Sequence, residues 1–218
     1  NGKTGVVYVR SSGFNQHGEK VMEYTRWVMV NKRDQSAPAP TAFVPHLADA
    51  VPGNELVVPN GLHAKNYEPA RAGSSHFYED YQIGEKISHV DGMTIEEAEH
   101  QMATRLFQNT AKVHFDQHAQ KDSRFGRRLI YGGHVISLAR ALSFNGLGNA
   151  CMMLAINGGR HVAPTFAGDT IYAWSEILDM HELDDDFGAL RVRLVGLKNA
   201  NPNDHLLKDS QDKYDSSV

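Results

Sequence analysis

"RLIYGGHVISLARAL", Arg128–Leu142, is the stretch on which the fold turns. Two glycines precede a run in which Val135, Ile136, Leu138, Ala139, Ala141 and Leu142 fall almost all the way round a helical wheel. A helix that is apolar on every side has no face to offer water, so burial is expected. The spacing predicts a helix that follows Gly132-Gly133 and ends at Gly146 or Gly148, where glycine accepts left-handed backbone angles. Downstream, Met152–Asn157, Thr170–Leu178 after the turn "FAGD", and Ala189–Leu197 read as strands. In the last of these Leu190, Val192 and Leu194 share one face while Arg191 and Arg193 share the other. One buried helix among antiparallel strand candidates implies an α+β fold in which a sheet wraps around a helix.

Upstream, "MTIEEAEHQMATRLFQN" predicts a second helix over Ile95–Phe107. Thr94 followed by Glu97 has the spacing of a capping box, and Ile95, Ala98, Met102 and Leu106 recur at helical intervals. Asn109, a residue type that tolerates left-handed angles, is the expected stop. Between Asn31 and Ser75 the prolines Pro38, Pro40, Pro45, Pro52 and Pro59 break any regular element, and residues 31–75 read as a linker. Before the linker, Val6–Arg10 and Val21–Val30 read as a hairpin whose second strand is apolar on both faces, so both faces should be covered. The expected organisation is a hairpin over residues 1–30, a linker over 31–75 and a domain over 76–218. The chain opens at Asn1 without Met and its tail carries no structural punctuation, so a piece of a longer protein is expected.

Composition narrows the function classes. The 218 residues carry 22 basic and 26 acidic side chains, a net charge of −4, with no Lys/Arg-rich block, so no nucleic-acid partner is expected. No apolar run approaches the roughly 20 residues that span a bilayer, so no membrane association is expected. A single cysteine, Cys151, leaves no internal disulfide framework and fits a reducing compartment, the cytoplasm.

Chemistry-bearing residues gather in "FQNTAKVHFD", Phe107–Asp116. His114 follows the predicted helix, with Asn109 five residues before it and Asp116 two after. An amide at Asn109 and the imidazole of His114 can hold one water between them, with His114 as the base. In an extended segment Asp116 would share a side with His114 and orient its ring. Gly132 and Gly133 open the buried helix, whose first N–H groups lack internal partners and can polarise a carbonyl oxygen. Equally, two glycines at that point can simply let the chain turn beneath a sheet. With twelve histidines a metal site is worth weighing, yet no HExxH or paired CxxC spacing occurs, and none is expected.

Four blocks, "FYEDYQIGEKI", "FQNTAKVHFD", "RLIYGGHVISLARAL" and "HVAPTFAGDTIYAWSEIL", resemble in that order the successive blocks of a MaoC-type hot dog hydratase/dehydratase domain. The resemblance runs from about Phe77 to Leu197 and is strongest to the mesaconyl-CoA hydratase (β-methylmalyl-CoA dehydratase) group. It implies a double hot dog, with the hairpin as the end of a first unit and a second unit that lacks its final strand. It further implies reversible hydration of a branched enoyl-CoA thioester, by a homodimer with no cofactor beyond the coenzyme A of its acyl-CoA substrate. By position, His114 matches the family's histidine, while Asn109 stands where the family carries Asp. The family's thioester-binding glycine falls on Gly132 or Gly133. Arg128 or Arg160 would then face a substrate carboxylate, since a planar guanidinium suits one. The Asn109 departure keeps open a catalytically silent acyl-CoA-binding module, and a straight-chain (R)-3-hydroxyacyl thioester dehydratase is the remaining alternative.

Overall fold

A computed structural model describes residues 3–203. The chain divides into two compact units, Asn1–Ala48 and Asp49–Val218.

In the first unit, β1 (Thr4–Phe14) and β2 (Lys20–Asn31) form the expected hairpin, longer at both ends than the sequence predicted. Their antiparallel register runs from Thr4 opposite Asn31 to Phe14 opposite Lys20. Asn15 closes the turn, its side-chain oxygen accepting the N–H groups of His17 and Glu19 at 2.9 and 3.0 Å. Tyr8 meets Trp27 edge-on with ring centroids 4.8 Å apart. Val6, Met22, Trp27 and Met29 are exposed in this chain, since the described residues of the unit form a sheet of two strands, which by itself covers neither face.

The segment expected to be one linker is also divided. From Asp49 onward it groups with the second unit, where the Val51 N–H donates to Asn157 Oδ1 at 2.9 Å and the Tyr67 hydroxyl to Asn149 Oδ1 at 2.7 Å. It includes one helical turn, α1 (Pro69–Ala72), begun by proline and ended by Gly73 at φ 70°.

The second unit is built on a three-stranded antiparallel sheet in the order β3-β4-β5. These strands are β3 (Lys86–Thr94), β4 (Thr170–Glu182) and β5 (Gly188–Lys198). The α2 helix (Glu97–Leu106) follows β3 directly, and α3 (Gln117–Gln120) is a single turn. The α4 helix (Gly132–Leu142) lies on the sheet, Leu138, Ala139 and Leu142 packing with Ile95, Ile130, Ile171 and Ala173. Past α4, α5 (Phe144–Leu147) is broken by Gly146 at φ 114°. A second cluster joins Tyr81, Leu147 and Ile177.

Five expectations are corrected. The α4 helix is not buried all round: Ile136 is 52% exposed, since the three described strands cover one side of it. Residues 152–157 form no strand, and none of the described strands pairs with them. The α2 helix is capped by Glu96 with Glu99, one turn closing on the Glu96 N–H, while Thr94 stays in β3 and bonds Thr170 through its hydroxyl at 2.7 Å. Its buried side chains are His100 and Thr104, whereas Met102 and Leu106, expected to face the core, are exposed. At its end Gln108, at φ 49°, takes the left-handed position expected of Asn109. The far end of the 76–218 domain, with its expected missing strand, lies outside the described residues.

His89 ties β3 to the rest of the unit. It is fully buried, 2.7 Å from both the Asn145 carbonyl and the Ser175 hydroxyl. A carbonyl only accepts, so Nδ1 carries the proton and Nε2 accepts from Ser175. Burial pushes the His89 imidazole below the usual histidine range; the Asn145 carbonyl opposes this and the Arg140 charge adds to it.

Two outcomes are expected. Ile177→Ala, at a site with no exposure, should cost about 3 kcal/mol, read by denaturant unfolding. The unfolded chain takes up a proton near pH 6.5 that folded His89 resists, so stability is full above that pH and falls below it. The unfolding midpoint should drop between about pH 7 and about pH 5, and the drop should shrink in His89→Gln.

Candidate active site at the start of α4

His114 closes a single 3-10 turn, Lys112–His114, its N–H donating to the Ala111 carbonyl at 3.0 Å. The turn is laced to the strand-like approach to α4. Leu129 N–H donates to the Val113 carbonyl at 3.1 Å, and His114 Nδ1 lies 3.1 Å from the Leu129 carbonyl. From α2, Gln101 Nε2 donates to the His114 carbonyl at 3.2 Å. Since the Leu129 carbonyl can only accept, Nδ1 carries a proton, so that in the neutral ring Nε2 has the lone pair a general base requires. The Tyr131 ring stands edge-on to the imidazole at 5.9 Å.

Asn109 lies at the far end of the same segment. Its side-chain oxygen accepts the Ala111 N–H at 2.9 Å and its own N–H donates to the Thr104 carbonyl at 3.0 Å. The oxygen is committed to that local turn, which leaves the NH2 group as the end that can donate to a water.

Asp116 does not orient His114. The chain here is a 3-10 turn followed by α3 rather than an extended strand, and Asp116 is the N-cap of α3, accepting the Ala119 N–H at 2.9 Å. The orienting acceptor is the Leu129 carbonyl, which no side-chain pattern announces.

Gly132 and Gly133 are the first two residues of α4, ahead of the helix's own hydrogen bonds, which begin at the His134 N–H. A side chain at either glycine would have to displace a neighbouring ring. A Cβ on Gly132 would come within 2.5 Å of His161 Nε2, and one on Gly133 within 2.6 Å of the Tyr131 hydroxyl oxygen. Their open N–H groups and their close packing therefore coexist. Of the two arginines, Arg128 is mostly buried and ion-paired with Glu97, while Arg160 lies exposed in the irregular run before β4.

Three histidines join this end of α4 that sequence patterns did not single out for a role here. His100 Nε2 accepts the Tyr131 N–H at 3.1 Å, His134 Nε2 lies 3.2 Å from Glu99 Oε1, and His161 covers Gly132. One signal was available: His100 and Thr104 share a face of α2 at a spacing of four, and a polar stripe can be a buried one when its partners come from elsewhere. Among the described residues no group of three His, Cys, Asp or Glu side chains is placed to hold a metal ion. No helix among them is long and apolar enough to cross a membrane.

A sheet with α4 laid on it, and a histidine turn laced to the start of that helix, define a hot dog protein of α+β class. No family model matches the chain. It is 59% identical over its full length to the β-methylmalyl-CoA dehydratase of Chloroflexus aurantiacus, and 60% identical over 91% of its length to the mesaconyl-CoA hydratase of Cereibacter sphaeroides. It spans 62% and 57% of the lengths of those relatives. A solved MaoC domain protein dehydratase from Chloroflexus aurantiacus superposes with a TM-score of 0.91 at 58% identity, over 99% of this chain and 62% of that one. A Mycobacterium tuberculosis protein with a double hotdog fold shares the fold at a TM-score of 0.59 and 21% identity, over 90% of this chain and 57% of its own. Over its whole length the chain is similar to MaoC-type hot dog proteins.

Asp116→Ala should cost about 1 kcal/mol, the usual worth of an N-cap, and should leave the His114 ring signals in nuclear magnetic resonance (NMR) spectra in place. A large shift of those signals would mean that the carboxylate does reach the imidazole.

Proposed function

We propose that the protein of which this chain is part hydrates and dehydrates a branched enoyl-CoA thioester of the mesaconyl-CoA or β-methylmalyl-CoA kind. The observation that supports the reading is the His114–Leu129 bond, which holds the imidazole through Nδ1 to the segment that leads into Gly132 and Gly133 at the start of α4. The 59–60% identity to a dehydratase and a hydratase of those names supports the substrate class.

In the proposed reaction the thioester carbonyl accepts from Gly132 or Gly133 N–H, which draws electron density from the double bond. His114 Nε2 takes a proton from a water as its oxygen bonds to the β-carbon, and the double-bond pair moves to an enolate. The imidazolium then returns that proton to the α-carbon, so water is added and nothing is oxidised or reduced. Asn109 cannot take a proton; its NH2 group donates to the water oxygen and places it. Arg160, exposed near His161, is the freer of the two arginines to meet a substrate carboxylate, because Arg128 is already paired with Glu97.

No cofactor beyond the coenzyme A of the substrate, assembly as a homodimer and a cytoplasmic setting complete the proposal. A second reading, a silent acyl-CoA-binding module, is favoured by one observation: the Asn109 oxygen is held by Ala111 and contributes no second base.

Mesaconyl-CoA absorbance should fall in the presence of the protein, and His114→Ala should reduce the rate on the order of a hundredfold or more with the fold intact. Full activity in His114→Ala would remove the base from the mechanism. Calorimetric binding of the thioester with no turnover of mesaconyl-CoA or crotonyl-CoA would establish the silent module. Faster turnover of crotonyl-CoA than of mesaconyl-CoA would establish the straight-chain dehydratase.

A further inference from the structure

The least expected side chain in the second unit is His100. It is 1% exposed, on a helix whose Met102 and Leu106 point outward. Burying an imidazole in place of an apolar residue costs free energy unless its nitrogens are satisfied. The Tyr131 N–H, 3.1 Å away, satisfies Nε2. An N–H can only donate, so Nε2 must hold a lone pair and His100 must be neutral, with its proton on Nδ1.

Tyr131 is the N-cap of α4, next to both His114 and the two glycines that the proposed chemistry uses. Its ring stands edge-on to His114, the same ring fills the space a Gly133 side chain would need, and the next two N–H groups are those of Gly132 and Gly133. We infer that His100 is a positioning residue, whose neutral imidazole fixes the Tyr131 backbone and thereby the ring and the N–H groups that face the reacting thioester. The inference rests on the functional reading above and adds a residue to it. Without an acceptor at this point the Tyr131 N–H is left partly buried and unpaired, and the first turn of α4 shifts to find another.

The charged surroundings agree with a neutral ring. Burial pushes the His100 imidazole below the usual histidine range, Glu97 on its own helix opposes this, and Arg128 from the irregular segment before α4 reinforces it, as do His114 on the 3-10 turn and His134 on α4 when they are protonated. Protonating Nε2 would turn its N–H against the Tyr131 N–H, so strong acid undoes the contact directly.

The test compares His100→Gln with His100→Leu in the full-length protein. The Gln side-chain oxygen can reach the Tyr131 N–H and does not titrate; Leu fills the space and accepts nothing. Turnover of mesaconyl-CoA should stay within about threefold of wild type in His100→Gln and fall by about tenfold or more in His100→Leu, chiefly in kcat. In NMR spectra, nitrogen-15 shifts should show His100 protonated on Nδ1. The Tyr131 amide should be protected from exchange in wild type and His100→Gln, and unprotected in His100→Leu, with the His114 ring signals displaced. If His100→Leu does not fold, His100→Asn, whose oxygen falls short of Tyr131, replaces it in both measurements. Equal rates in the accepting and non-accepting variants, with unmoved His114 signals, would overturn the inference. If the wild type itself turns over no enoyl-CoA, the functional reading fails, and the NMR comparison alone decides whether His100 holds Tyr131.

Discussion

Packing of α4 against β4 is the interaction from which the rest of the second unit takes its place. Leu138, Ala139 and Leu142 meet Ile171 and Ala173 on the middle strand of the sheet, which is bonded on both edges. Because β4 is held by β3 and β5 together, the helix lies on a fixed surface, and its first turn becomes a fixed point in space. The His114 turn is then attached to that point through backbone groups, Leu129 to Val113 and His114 to Leu129. Backbone attachment has the virtue of rigidity: an imidazole held by a carbonyl within a paired segment has fewer ways to move than one held by a long side chain.

Polar groups inside this unit are placed as contacts between elements rather than left to water. His89 joins β3 to Asn145 after α4 and to Ser175 on β4, and His100 joins α2 to the start of α4. Each satisfied nitrogen specifies one geometry, whereas an apolar residue at the same position would tolerate several. The requirement that both rings be neutral links this specificity to pH, since protonation turns an accepting nitrogen into a second donor.

Much of the architecture was legible because it is local. The hairpin follows from two β-rich runs and a turn, β4 from a β-rich run after the turn "FAGD", β5 from alternation, and α4 from its apolar run after two glycines. The α2 helix was found for a partly mistaken reason. Its apolar residues Met102 and Leu106 point outward, and its buried stripe is His100 and Thr104, because a polar residue is buried when another element supplies its partner. Residues 152–157 illustrate the opposite error: β-like composition makes a strand only where a neighbouring edge is available. The site divided in the same way. His114, Asn109 and the two glycines stood out by type and spacing, but Asp116 was misassigned, since spacing cannot tell an extended segment from a 3-10 turn followed by a capped helix.

By itself the sequence determined the α+β class, the hairpin, α2, α4 and the strands β4 and β5, the family resemblance and the residue types available for acid–base chemistry; β3 was not legible in it. Only the tertiary structure decided which nitrogen of His114 carries its proton, that Arg128 is occupied by Glu97, and that His100, His134 and His161 gather at the start of α4. The division has one physical cause. Propensity and periodicity act within a few residues along the chain, whereas these contacts join groups up to 35 positions apart, as His134 with Glu99, and exist only once α4 is seated on β4.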